Sequence, residues 1–199
     1  MRCIGLQEPT DHAPVLDYAL TLLREVVGSL DGSVTEAPTN CPPWTVRRLA
    51  SHALNNQLVW AGLVTGQDLV ATDDAMGAVA IDGDLGPVAA DVASLASALW
   101  HSEGVLERTH RTPFGALPGS AVIDFAIVDA VAHAWDLSDS VGRAVEFDPA
   151  RMSALTDVVA ATCTDAAREH GLIKPPTLAP DDATDTERLM CAAGRTIHR

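Results

Sequence analysis

The 199-residue sequence predicts an all-α protein: a helical bundle with additional helices at its C-terminal end. Three observations lead there. Apolar residues recur at helical spacing through five long segments, those segments are bounded by capping residues, glycines or prolines, and no alternation of period two persists between them.

The first helix is expected from about Pro14 to Gly28, with Asp11 as a candidate N-cap and Pro14 in the first turn. A loop rich in Gly, Pro, Asn and Asp follows, DGSVTEAPTNCPPW. Thr45 then opens a second helix that Gly66 can close. A third is expected over PVAADVASLASALWHSEGVLERT, after a loop holding Asp73, Asp74, Gly77, Gly83 and Gly86, and RTPFGALPG breaks it. The fourth, SAVIDFAIVDAVAHAWDLSDSVG, is the most apolar. Asp148 and Pro149 supply a cap and a first position for a fifth, PARMSALTDVVAATCTDAAREHG. Beyond the extended connector IKPPTLAP, Thr184 and Glu187 have capping-box spacing ahead of a short last helix, TERLMCAAG.

The length suits one domain with a small C-terminal appendage. Hydrophobic residues make up 47% of the chain, yet no run approaches the roughly eighteen apolar residues that span a bilayer, so no membrane partner is expected. The opening MRCIGLQEPTDHAP has no apolar core of signal-peptide length, which places the expected location in the cytoplasm. A net charge of −14 repels a phosphate backbone and argues against nucleic-acid binding. Cys3, Cys41, Cys163 and Cys191 lack paired spacing and read as free thiols. The single lysine, Lys174, points to a high-GC coding bias.

The fourth segment carries the chemistry. It is hydrophobic nearly all round and is therefore expected to be buried. Asp129, His133, Asp136 and Ser140 interrupt it at spacings of four, three and four, which places them in one narrow stripe. A desolvated carboxylate is costly unless it is paired, hydrogen-bonded or coordinated. Two readings follow: the stripe holds a metal ion, with Asp129 and His133 as ligands one turn apart, or a buried histidine is satisfied by a neighbouring carboxylate. His52, on the second helix, is the candidate third ligand in the first reading, because facing helices of a bundle supply such sets together.

The segment CPPWTVRRLASHAL, Cys41 to Leu54, resembles the C-x-x-W-T-V-x-x-L-x-x-H signature of the DinB-like family. Its branch is the one containing the metal-binding N-terminal domain of mycothiol-dependent maleylpyruvate isomerases. VDAVAHAWDLSDSVG, Val128 to Gly142, is similar to that branch's second signature: an acid, three residues, His, two residues, Asp, then Gly. The resemblance implies an up-down-down-up four-helix bundle over a core of about residues 10–170, with a short tail over about 171–199. It implies zinc held by His52, Asp129 and His133, with Ni2+ and Fe2+ as alternatives, and Asp136 as the acid that orients a ligand rather than binding the ion. One departure is that the isomerase branch carries Glu where this chain has Asp129.

Three protein ligands leave a coordination position open, where a metal lowers the pKa of a bound water or thiol. The resemblance therefore implies a transferase or isomerase that uses mycothiol as cosubstrate against an electrophile. A non-catalytic metal-binding module of the same fold and a non-haem Fe(II) enzyme are the alternatives. By helical proximity to His52, Arg48, Asn56 and Trp60 are the candidate substrate-binding groups, although Trp60 reads more readily as plain core. His101 and Glu103 read as a surface pair or as pocket lining. His12, His110, His170 and His198 are given no role, and Asp73–Asp74 and Asp181–Asp182 read as solvated loops. Monomer and homodimer both stay open.

Overall fold

Four long helices build the core of the structure, a computed structural model that describes residues 12–71, 80–112, 114–169, 171 and 173–198. They are α1 (Ala13–Gly28), α2 (Val46–Thr65), α3 (Leu85–Trp100) and α4 (Gly119–Ser140). Three shorter helices follow: α5 (Met152–Thr162), α6 (Asp165–Glu169) and α7 (Asp185–Ala192). An antiparallel hairpin of β1 (Thr109–Thr112) and β2 (Gly115–Pro118) connects α3 to α4.

Both α1 and α2 pack along α3 and along α4, so α1 and α2 share one diagonal of the bundle and α3 and α4 the other. α5 covers the outer side of α4. This explains why the α4 sequence is apolar all round: with neighbours on every side, Val122, Ile123, Ile127, Val131, Ala134 and Leu137 are all buried. Leu16 and Leu23 from α1, Leu49 and Leu54 from α2 and Trp100 from α3 complete the core. Each such side chain contributes about 1.5–3 kcal/mol through removal from water. On α2, the Thr45 hydroxyl accepts from the Arg48 amide and Gly66, at φ +71°, ends the helix, as the sequence predicts.

Several boundaries differ from the sequence expectation. The residue before α1 is His12, whose side chain makes no capping bond, while Asp11 lies outside the described residues. The third helix stops at Trp100 instead of continuing to Thr109, because the chain reverses at Gly104 (φ +74°) and enters the hairpin. The hairpin leaves no sustained period-two pattern in the sequence because its strands have four residues each and only His110 and Thr112 are buried. Its turn is held by the Thr112 hydroxyl, which accepts from the Phe114 amide at 3.0 Å and donates to the Gly115 carbonyl at 2.9 Å. At its base Gly119 is obligatory: a Cβ there would stand 2.0 Å from the Val105 carbonyl oxygen.

The expected fifth helix is divided. Asp148 accepts from the Ala150 amide at 2.9 Å in the turn that precedes α5, which starts at Met152, three residues beyond the expected Pro149 start. The chain breaks at Cys163, and Thr164 accepts from Ala167 as α6 begins. Thr184 and Glu187 form the expected capping box on α7. Cys41, Cys163 and Cys191 are free thiols. Cys3, His170, Gly77 and the Asp73–Asp74 run lie outside the described residues. Among the described residues no helix is long and apolar enough to cross a membrane.

Candidate metal centre

The seam between α2 and α4 is antiparallel and built in layers. His52 faces His133, their rings edge-on with centroids 5.0 Å apart. One turn along, Asn56 faces Asp129 and donates to its Oδ1 at 2.7 Å. One turn further, Trp60 stacks on Phe125 with centroids 5.6 Å apart. Steps of four residues on both helices keep the ladder in register, since adjacent turns place i and i+4 on one face.

The structure brings His52, Asp129 and His133 together: their donor atoms all lie within 4.8 Å of one another. His52 is buried against the Trp44 ring, at a centroid distance of 4.5 Å, whereas Asp129 and His133 are partly open to solvent. The Asp129 carboxylate is fixed from both sides, by Asn56 on Oδ1 and by Gln57 Nε2 on Oδ2 at 2.9 Å. His133 Nδ1 lies 3.0 Å from Asp136 Oδ2 and donates to it. In the neutral imidazole that leaves Nε2 as a lone pair, and Nε2 points at Asp129 Oδ1 across 3.6 Å. Nε2 and Oδ1 stand beyond hydrogen-bond distance of each other and together offer two ligand atoms to a cation. Zinc binds such donors at about 2.0–2.2 Å, so a set of this span needs only a small contraction to close on an ion. The donor set therefore fits a divalent metal.

Asp136 does not join that set. Its side chain is 1% exposed and receives Arg195 Nη2 at 2.8 Å and Nε at 3.3 Å, besides Asn40 Nδ2 at 3.3 Å. Burial alone would raise its carboxyl. The Arg195 charge and the hydrogen bonds from His133 and Arg195 outweigh that effect and hold it well below the usual carboxylate range. Cys41, His133 and Asp136 also stand close enough to suggest a second ligand set. The guanidinium already bound to both Asp136 oxygens repels a cation there, so one site, on the Asp129 side, is the candidate. Burial, and then the Asp136 charge, push the Cys41 thiol up to about 12.

The remaining expected residues distribute as follows. Arg48 is half-buried on α2, one turn before His52, and Asn56 lies on Asp129. Trp60 is half-buried against Phe125 rather than fully enclosed. His101 binds Asp17 of α1 at 2.9 Å beside Ser97, away from the seam, and Glu103 is exposed. His12 is ion-paired with buried Asp124, and His110 bonds the Val105 carbonyl at 2.7 Å. His198 lines a cavity of about 330 Å³ together with Cys41, Lys174 and Arg195. Sequence reasoning missed Gln57, Asn40 and Arg195. Only Gln57 had a legible signal, as an amide inside an apolar helix next to Asn56.

The fold and the seam together define a DinB-like helical bundle with a candidate site of two histidines and a carboxylate. The chain belongs to the mycothiol maleylpyruvate isomerase N-terminal domain family, whose family model matches residues 16–138. Two Mycobacterium tuberculosis proteins are 26% identical to it over 167 residues, covering 80% of this chain and 84% of each relative. They are uncharacterized protein MT0763 (strain CDC 1551 / Oshkosh) and uncharacterized protein Rv0738 (strain ATCC 25618 / H37Rv). The crystal structure of the mycothiol-dependent maleylpyruvate isomerase superposes with a TM-score of 0.64, covering 86% of this chain and 75% of that one, at 17% identity, which establishes the shared fold.

Proposed function

We propose that this protein binds one divalent metal ion, zinc in the first instance, through His52, Asp129 and His133, and uses it in a thiol-dependent transfer or isomerisation with mycothiol as cosubstrate. The observation that carries the reading is the convergence of His133 Nε2 on Asp129 Oδ1 at 3.6 Å, with a His52 donor in the same cluster. Family membership supports the thiol part of it.

When bound, the ion supplies Lewis acidity that lowers the pKa of a thiol at its open position. The chain's own residues do the rest. Asp136 accepts the Nδ1 proton of His133 and keeps Nε2 free as a donor, as metal-binding histidines require. Asn56 and Gln57 hold the Asp129 carboxylate in one orientation. Trp44 packs its ring against that of His52 and limits the orientations open to the imidazole. Arg48 and Trp60, one turn before and two turns after His52, flank the place where a cosubstrate enters. The protein's own Cys41 is a poor nucleophile, because its thiol stays protonated near neutral pH.

Elemental analysis of purified protein beside His52→Ala and His133→Ala tests the metal. One equivalent in the wild type and loss in both variants is the expected result. The same substoichiometric content in all three would overturn the site. Metal-loaded protein that fails to consume mycothiol in the presence of any electrophile would overturn the thiol chemistry while leaving the metal in place.

A further inference from the structure

The ladder on the α2/α4 seam continues past the ligand set into an aromatic wall. Trp60 and Phe125 stack nearly parallel, with an interplanar angle of 19°, and Phe114 at the hairpin tip leans on Phe125 with centroids 5.8 Å apart. Aromatic residues are only 4% of the chain, so three at one place is a concentration. Phe114 is 41% exposed, whereas Trp60 and Phe125 are half-buried, so the rings present an accessible face. Single exposed apolar residues are ordinary on a protein surface. This one is continuous with two more rings that run back toward the ligands.

The distance to the candidate metal centre is set by helix geometry. Phe125 precedes Asp129, and Trp60 follows Asn56, by four residues, or about 6 Å along each axis. A flat molecule lying on the rings has its far edge toward the Asn56–Asp129 layer, one turn away. The Trp60 indole N–H adds a polar feature: it is buried and, among the described residues, has no acceptor. The core indole of Trp100 is likewise without an acceptor, so the Trp60 N–H is an additional feature of a wall defined by its ring geometry. A ligand oxygen at the wall's inner edge would satisfy the Trp60 donor.

We infer that Trp60, Phe125 and Phe114 form the subsite for the electrophile, and that it selects neutral substrates with a flat, aromatic or otherwise unsaturated apolar body carrying an oxygen acceptor. This inference rests on the proposed thiol-dependent function and names the substrate class of that same site. The hairpin gains a purpose from it: it holds Phe114 over a seam that would otherwise end at Phe125.

The test separates binding from turnover. 1,3-Dinitrobenzene, flat, neutral and bearing oxygen acceptors, serves as an unreactive probe, read through quenching of Trp60 fluorescence with Trp60→Phe as the blank. Aromatic contacts of this kind are worth about 0.5–1.5 kcal/mol. Phe114→Ala is therefore expected to weaken probe binding by roughly 2- to 12-fold at the 1.4 kcal/mol-per-decade conversion, and Phe114→Trp to restore it. With mycothiol, the kcat/KM ratio of 1-chloro-2,4-dinitrobenzene over iodoacetamide is expected to fall by a similar factor in Phe114→Ala, carried mainly by KM. Equal probe affinity in the wild type and Phe114→Ala, or an unchanged ratio, overturns the subsite. Variant-dependent probe binding without turnover of either electrophile supports the subsite and overturns the proposed function instead.

Discussion

Arg195 reaches back 59 residues to grip Asp136 with two nitrogens, Nη2 at 2.8 Å and Nε at 3.3 Å. The same carboxylate orients His133, so the C-terminal tail is coupled to the candidate metal centre through a single acidic side chain.

Removing the guanidinium leaves that buried carboxylate without its charged partner, held only by hydrogen bonds from Asn40 and His133. Arg195→Met is expected to cost about 3–5 kcal/mol in urea-induced unfolding, in line with breaking one partner of a buried pair. Arg195→Lys, which lacks the planar fork, should recover only part of the loss. Wild-type-like stability for Arg195→Met would show that the pair contributes nothing.

The pH dependence of that difference has a defined sign. Because the Asp136 carboxyl is held below its ordinary value in the folded state, its contribution is fully present above the unfolded-state pKa of about 3.9. It is lost as pH falls through the depressed folded value. In Arg195→Met burial without the guanidinium raises that carboxyl instead, so the stability gap between wild type and variant should be widest at neutral pH and shrink progressively in acid, from above about pH 4 down through the depressed wild-type value. Denaturant titrations of both proteins at a series of pH values measure it; a gap that widens on acidification would contradict the assignment.

Gly194 places Arg195. Its φ is +84°, and a Cβ there would stand 2.5 Å from the Lys174 carbonyl oxygen. Gly194→Ala meets both a backbone penalty and a clash, so a loss of about 1–3 kcal/mol is expected. The Arg195–Asp136 contact should loosen with it, read as a shift of the His133 ring resonances in NMR spectra.

Gln57 tunes the proposed metal site without touching the ion. It is fully buried and its amide nitrogen binds Asp129 Oδ2. Gln57→Leu keeps the volume and removes the bond. Zinc affinity, measured by competition with a chromophoric chelator, should fall about 10- to 100-fold, the usual cost of losing such a supporting contact, with stoichiometry unchanged.

Cys41 should resist alkylation. With its thiol pushed up to about 12, little thiolate exists at pH 8, and iodoacetamide is expected to label it in the native protein far more slowly than after unfolding. Peptide mapping by mass spectrometry distinguishes it from Cys163 and Cys191.

Much of this architecture can be read from the chain alone, because it follows from local pattern. The burial of α4 is implied by an apolar run with no solvated face, and the polar stripe Asp129–His133–Asp136 by helical spacing. The capping residues Thr45 and Thr184 mark their helices because capping is a contact within a few residues. His52 was legible as a candidate through its place on a helix facing the stripe and through a sequence signature that it shares with a family, not through any local energetics.

What only the tertiary structure decided are the contacts that join distant segments. Nothing near Arg195 in sequence announces Asp136, and nothing near Asn40 announces it either. The choice of Gln57 as a partner for Asp129 depends on the register in which α2 lies against α4. The hairpin depends likewise on close approach of another segment, Val105 against Gly119, and α6 is tied to the tail by Arg168, which donates to the Lys174 and Ala192 carbonyls. Helix period and capping are short-range properties of neighbouring residues. Pairing across elements is set by which faces pack together, and that is fixed only when the whole bundle closes.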